Sequence, residues 1–162
     1  MADSGTPTTP RELIDRIERS WLAWVNAVDG IPDERLAEPM VGHWSTKDLL
    51  GHIAFWEDWV VGHCQRILAG KPDPGGDMDP INERQVAESK DALVDEQKRY
   101  RDETHARLAT FLGTIPDDEP KFPELVEALA GETYGHYDEH TAQVGAWRAA
   151  EGIQTRSGET NP

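Results

Sequence analysis

The sequence predicts an all-α domain, a four-helix bundle, and three observations carry that reading. Apolar residues recur at steps of three and four along nearly the whole chain. Sustained apolar–polar alternation, the mark of a half-buried strand, is missing. Four long segments each carry one apolar face, and four such faces are buried most simply against one another. A chain of 162 residues with 37% hydrophobic side chains suits one compact domain and is too small for two well-buried ones.

The first helix begins at Thr9-Pro10-Arg11-Glu12. A threonine three residues before a glutamate is a capping box, and proline suits the first turn. Its stripe runs Leu13, Ile17, Trp21, Trp24 and Val28, and Gly30 with Ile31-Pro32 ends it. The second starts at Ser45, boxed with Asp48, with Trp44 placed to staple onto Leu49, and continues to about Leu68. Three glycines and three prolines then break residues 70–80 and make a long connection. The third covers residues 81–112, with a break predicted near residues 89–91, and its stripe reads Leu93, Gln97, Tyr100, Thr104, Leu108, Phe111. The fourth covers residues 123–150, in two pieces because Gly131 and Gly135 each cost about 1 kcal/mol in a helix interior. Residues 1–9 and 152–162 hold almost nothing to bury and read as mobile tails around a domain of residues 10–151.

Composition excludes several classes of function. Sixteen basic side chains against 31 acidic ones give a net charge of −15, which repels phosphate backbones and anionic lipid, so neither nucleic acid nor membrane is an expected partner. No apolar run approaches the roughly 20 residues of a membrane-spanning helix. The polar start lacks the hydrophobic stretch of a signal peptide, and the expected location is cytoplasmic. A single cysteine, Cys64, forms no internal disulfide and no cysteine-based zinc cluster; twelve residues beyond His52, it lies about 18 Å along the helix and reads as core filler.

The informative residues are histidines in core stripes. The inward positions of the fourth helix read Leu125, Leu129, Thr133, His136, His140, Val144, Trp147, which places two imidazoles one turn apart where aliphatic residues are expected. On the second helix His52 falls within the set Leu49, Ile53, Trp56, Trp59 or Val60, Ile67. Burying an imidazole without a partner costs about 1–3 kcal/mol. One divalent cation would satisfy all three, and three protein ligands leave a coordination position open, the arrangement of a catalytic rather than a structural site. The plainer reading stands beside this. An H-x-x-x-H spacing alone is a weak sign, and a lone core histidine commonly bonds a backbone carbonyl.

Two segments resemble a known family. Residues 42–57, GHWSTKDLLGHIAFWE, are similar to the second-helix signature of the DinB-like superfamily, in which a Trp-Ser start precedes a leucine pair, a histidine and a closing Trp-Glu. Residues 133–140, TYGHYDEH, resemble its fourth-helix signature, two histidines four apart followed by a tryptophan, here Trp147. The resemblance covers residues 10–151. It implies a four-helix bundle with an up-down-down-up path, a long connection between helices two and three, and a divalent metal on His52, His136 and His140. The superfamily includes thiol-dependent transferases and isomerases that use glutathione, mycothiol or bacillithiol. The 133–140 string looks closest to the ClbS/DfsB-like branch of self-resistance proteins, which hydrolyse reactive electrophilic natural products without necessarily using a metal.

The resulting expectation is a metal-dependent enzyme acting on a small electrophilic molecule by hydrolysis or thiol transfer. Zinc, nickel, copper, iron or manganese would suit the site, with a low-molecular-weight thiol as a candidate co-reactant. The alternatives are a metal-independent hydrolase using the same cleft and a non-catalytic binding or dimerisation module. Glu57, Asp138 and Glu139 are candidates for orienting an imidazole or moving a proton, with Tyr137 a fourth candidate catalytic group. On a chain with 31 carboxylates the plainer expectation for each acid is a solvated face. Trp44, Trp56, Trp59 and Tyr137 are candidate pocket walls, although tryptophans at helical spacing are commonly core. His63 lies about 16.5 Å along the helix from His52, too far to share an ion. His43 and His105 are expected to be exposed. A bundle of this size can expose an apolar strip between two helices, and relatives are often dimers, so a homodimer is a candidate assembly, although the sequence names no interface residues.

Overall fold

The structure, a computed structural model, describes residues 5–73 and 75–154. It is predominantly helical, as the apolar periodicity predicts. Its elements are α1 (Pro10–Val28), α2 (Asp33–Leu36), β1 (Pro39–Val41), β2 (Trp44–Ser45), α3 (Thr46–Leu68), α4 (Met78–Glu88), α5 (Val94–Leu112), α6 (Phe122–Glu132) and α7 (Tyr134–Glu151). Among the described residues no helix is long and apolar enough to cross a membrane. Residues 1–4 and 155–162, the outer parts of the expected tails, lie outside the described residues.

The helix starts follow local chemistry. Thr9 Oγ1 accepts from the Glu12 backbone N–H at 3.2 Å. The return arm of the expected box goes elsewhere: Glu12 Oε2 accepts from the backbone N–H and the hydroxyl of Thr8, both at 2.8 Å. At α3 the box is complete, with Asp48 N–H donating to Ser45 Oγ and Ser45 N–H to Asp48 Oδ2. The predicted third helix is two helices, and the break leaves Leu93 outside the helical turns as the N-cap of α5, 66% exposed rather than in the stripe.

The fourth segment also divides, at Thr133, whose backbone leaves helical values (φ −122°, ψ −104°) and whose hydroxyl donates to Leu129 O at 2.6 Å. Gly135 makes the restart feasible. A Cβ there would stand 2.8 Å from the Ala130 carbonyl oxygen, closer than a carbon side chain tolerates. The sequence places glycine where two helices need that approach.

One small element was not expected. β1 and β2 pair antiparallel, Pro39 with Ser45 and Val41 with Trp44, around Gly42 at φ +58°. Two short strands carry too few residues to display alternation. This hairpin delivers the chain into α3 and holds Trp44 beside its first turns.

The core joins α1, α3, α5, α6 and α7. Helix α3 packs against α5, α6 and α7, while α1 packs along α7. Leu13, Ile17 and Trp24 of α1 meet Leu49, Leu50, Ile53 and Val60 of α3, Leu108 of α5, Leu125 and Leu129 of α6 and Val144 of α7 in one buried cluster. Cys64 lies in it, and burial pushes its thiol up to about 12, which keeps it protonated and unreactive at neutral pH. The fold thereby sets α3, which carries His52, across the core from α7, which carries His136 and His140.

Candidate metal centre

His52 on α3 and His136 and His140 on α7 converge in the interior. All three are buried, between 5% and 8% exposed. One ring nitrogen from each lies within 4.8 Å of the other two. Ring centroids are 4.7 Å apart for His52 and His136, 4.7 Å for His136 and His140, and 5.4 Å for His52 and His140. His52 Nε2 and His136 Nε2 face each other at 2.9 Å. Two nitrogens bound at about 2.0–2.1 Å to adjacent positions of one ion stand roughly 2.9–3.4 Å apart, so this separation suits a shared cation.

The hydrogen-bond accounts of the rings point the same way. His52 Nδ1, His136 Nδ1 and His140 Nε2 are buried without a hydrogen-bond partner among the described residues. His140 Nδ1 lies 2.7 Å from Gln143 Oε1. Burial, and then the neighbouring His140, pulls the His52 pKa down to about 3. Burial, then His140 and His52, brings His136 down to about 2. Burial lowers His140 as well, against the opposing pull of its bond to Gln143. The rings are therefore neutral at physiological pH, the form that ligates a cation.

The other expected site residues separate into three groups. Trp44, which was expected over Leu49, meets His52 edge to face at 4.9 Å and forms one wall of the cluster. Trp56 donates its indole N–H to Asn82 Oδ1 of α4 at 2.8 Å, and Trp59 stacks on the half-buried His63 with centroids 4.9 Å apart. These two extend an aromatic row along α3 away from its N-terminus. Asp138 and Glu139 are exposed, and Asp138 meets Arg16 at 3.5 Å.

Glu57 does not lie on a solvated face. It is fully buried and accepts hydrogen bonds from Thr104 Oγ1 at 2.7 Å, from the Tyr137 hydroxyl, and from His105 Nδ1 at 3.2 Å. His105, expected to be exposed, is 7% exposed instead. Its Nε2 meets Glu18 Oε1 at 2.9 Å, and Trp21 stacks on its ring at 3.9 Å. The charged neighbours in sequence concealed this, but His105 stands three and seven residues before buried Leu108 and Leu112, on the same face of α5. Glu57 and Tyr137 are turned about 140° and 100° around their helices from His52 and His136, so this network occupies a different sector of the interior from the imidazole cluster. Burial, together with the facing Glu57, holds the Tyr137 hydroxyl protonated far above its usual range.

Gln143, Thr104, Glu18 and His105 were not anticipated as partners of these groups. A spacing of three from His140 is the one sequence signal that could have found Gln143.

A helical domain that buries three convergent imidazoles from two facing helices is a protein with a candidate mononuclear divalent-metal centre. The chain belongs to the DinB superfamily, whose model matches residues 16–144. Similar folds occur in an uncharacterised protein from Escherichia coli UTI89 (TM-score 0.78, 16% identity, 92% of this chain and 98% of that one). They occur also in the colibactin self-resistance protein ClbS in complex with double-stranded DNA (0.77, 14%, 89% and 98%) and in DfsB, a sibling lethal factor precursor (0.74, 18%, 90% and 98%). At these identities the likeness establishes the fold. No curated protein matches the sequence.

Proposed function

We propose that this protein is an enzyme that holds one divalent cation on His52, His136 and His140 and acts on a small electrophilic molecule by hydrolysis or thiol transfer. The observation that carries the reading is the convergence of three buried, neutral imidazoles with ring nitrogens left unsatisfied by the described residues. A cation held there supplies positive charge that polarises an electrophile and activates water or a low-molecular-weight thiol at neutral pH. Zinc, nickel, iron and manganese all suit an all-nitrogen set with open positions. In this reading α1, α3, α5 and the α6–α7 pair form a four-helix bundle with an up-down-down-up path.

The chain's own residues have definable parts. The core around α3 and α7 fixes the helices that carry the three rings, Trp44 excludes water on the His52 side, and Gln143 accepts the Nδ1 proton of His140. The similarity to a protein named for colibactin self-resistance supports a reactive natural product as the substrate class. The charge of −15 argues against carrying over that protein's DNA contact.

Elemental analysis of untagged protein purified without chelator is expected to find about one divalent ion per chain. His136→Ala should lose that ion. Full retention by the variant would overturn the assignment, and activity surviving exhaustive chelation would transfer support to a metal-independent hydrolase.

A further inference from the structure

We propose that Gln143 is a positioning residue that fixes the tautomer of His140, so that this ring presents an unprotonated Nε2 to the cluster before any cation arrives. The inference rests on the reading of the three histidines as cation ligands. The two residues stand three apart on α7 and share a helix face. Gln143 Oε1 lies 2.7 Å from His140 Nδ1. An amide carbonyl oxygen only accepts, so Nδ1 carries the proton. A neutral imidazole has one ring N–H, which leaves Nε2 with a free lone pair. Among the described residues His140 Nε2 is the nitrogen of this ring that is buried without a hydrogen-bond partner.

The facing pair is arranged differently. His52 and His136 meet through Nε2 at 2.9 Å, so one ring donates and the other accepts. The Nδ1 atoms of both have no hydrogen-bond partner among the described residues. Moving the donor's proton from its Nε2 to its own Nδ1 exposes both Nε2 lone pairs, and no proton leaves the site. His140 is thus the preset ligand, and the His52–His136 pair is the adjustable one.

The choice of an amide has a chemical reason. A carboxylate at position 143 would favour a second proton on the ring, which a cation must then displace. A neutral carbonyl orients the ring without adding charge to a buried site.

The test uses full-length, metal-free, 15N-labelled protein. Long-range 1H–15N spectra are expected to show His140 with a protonated Nδ1 and an unprotonated Nε2. Gln143→Leu should mix the two tautomers and weaken zinc binding by about 10–100-fold, while Gln143→Glu, which still offers an acceptor, should keep Nδ1 protonated. A wild-type His140 protonated at Nε2 would overturn the proposal, as would unchanged tautomer and zinc affinity in Gln143→Leu. Should Gln143→Leu fail to fold, the wild-type and Gln143→Glu spectra still decide. If wild-type protein takes up no zinc, the metal reading fails, and the tautomer is judged on the spectrum alone.

Discussion

The Tyr137 hydroxyl donates a hydrogen bond to the fully buried carboxylate of Glu57, tying α7 to α3 through the interior. Thr104 and His105 add two more donors from α5, and Glu18 of α1 closes on the far side of His105. Five side chains from four helices thus join in one network that runs from the interior to the half-buried Glu18.

Such a network stabilises when complete and penalises when broken, because a buried carboxylate stripped of donors retains its desolvation cost. Tyr137→Phe is expected to lose about 1.5–3 kcal/mol, the range for a hydrogen bond to a charged group. Glu57→Ala should lose about 3–5 kcal/mol. Urea unfolding followed by tryptophan fluorescence measures both, and a Glu57→Ala loss below that of Tyr137→Phe would show that the carboxylate is not the hub.

Acid should destabilise the metal-free protein from about pH 6.5 downward. His52 and His136 are held at about 3 and about 2 in the folded chain, against about 6.5 when unfolded. Above pH 6.5 the rings are neutral in both states and cost nothing. Between pH 6.5 and those lowered values only the unfolded chain takes up their protons, so stability falls with pH by up to about 1.4 kcal/mol per unit for each ring. His136→Asn should flatten the slope between pH 6 and 4 relative to the wild type. An identical slope would mean that the ring already titrates normally in the native protein.

Gly135→Ala should disturb the neighbouring ligand without touching it. The added carbon would stand 2.8 Å from the Ala130 carbonyl oxygen, so α7 must shift at its first turn, next to His136. A loss of about 1–3 kcal/mol is expected from this overpacking, with weaker zinc binding. Normal melting and normal zinc affinity together would show that the α6–α7 junction yields freely.

Arg148 is buried, and among the described residues no carboxylate pairs with it. It donates to Ala27 O and Asp29 O at the end of α1, at 2.7 and 2.8 Å, and to Gln154 O beyond α7. A cation at the negative end of a helix, bonded to its last carbonyls, is favourable. Arg148→Met keeps much of the volume but strands those oxygens, and should cost about 2–4 kcal/mol in thermal or urea unfolding. A loss under about 0.5 kcal/mol would mean that water replaces the guanidinium, as at surface sites.

Much of the site was legible because helical periodicity is a local property. His52, His136 and His140 fall in apolar stripes, and the stripes alone place them in the interior. Glu57 and His105 obeyed the same rule, yet the chain's 31 carboxylates and the charged neighbours of His105 made solvent the simpler expectation. Their burial required complementary partners from other helices, and spacing along one helix does not reveal who faces whom. Leu93 erred in the opposite direction: it fits the stripe, but the break before α5 leaves it at a helix cap.

By itself the sequence determined the helical class, the starts and breaks of the long helices, and the inward direction of the three imidazoles. These depend on caps, glycines and a period of 3.6 residues, all encoded within a few turns. Tertiary structure alone decided that the three rings meet nitrogen to nitrogen, that Trp44 borders them by way of an unforeseen hairpin, and that Glu57 finds its donors on α5 and α7. Those are distances between segments far apart in the chain, set by how whole helix faces pack together.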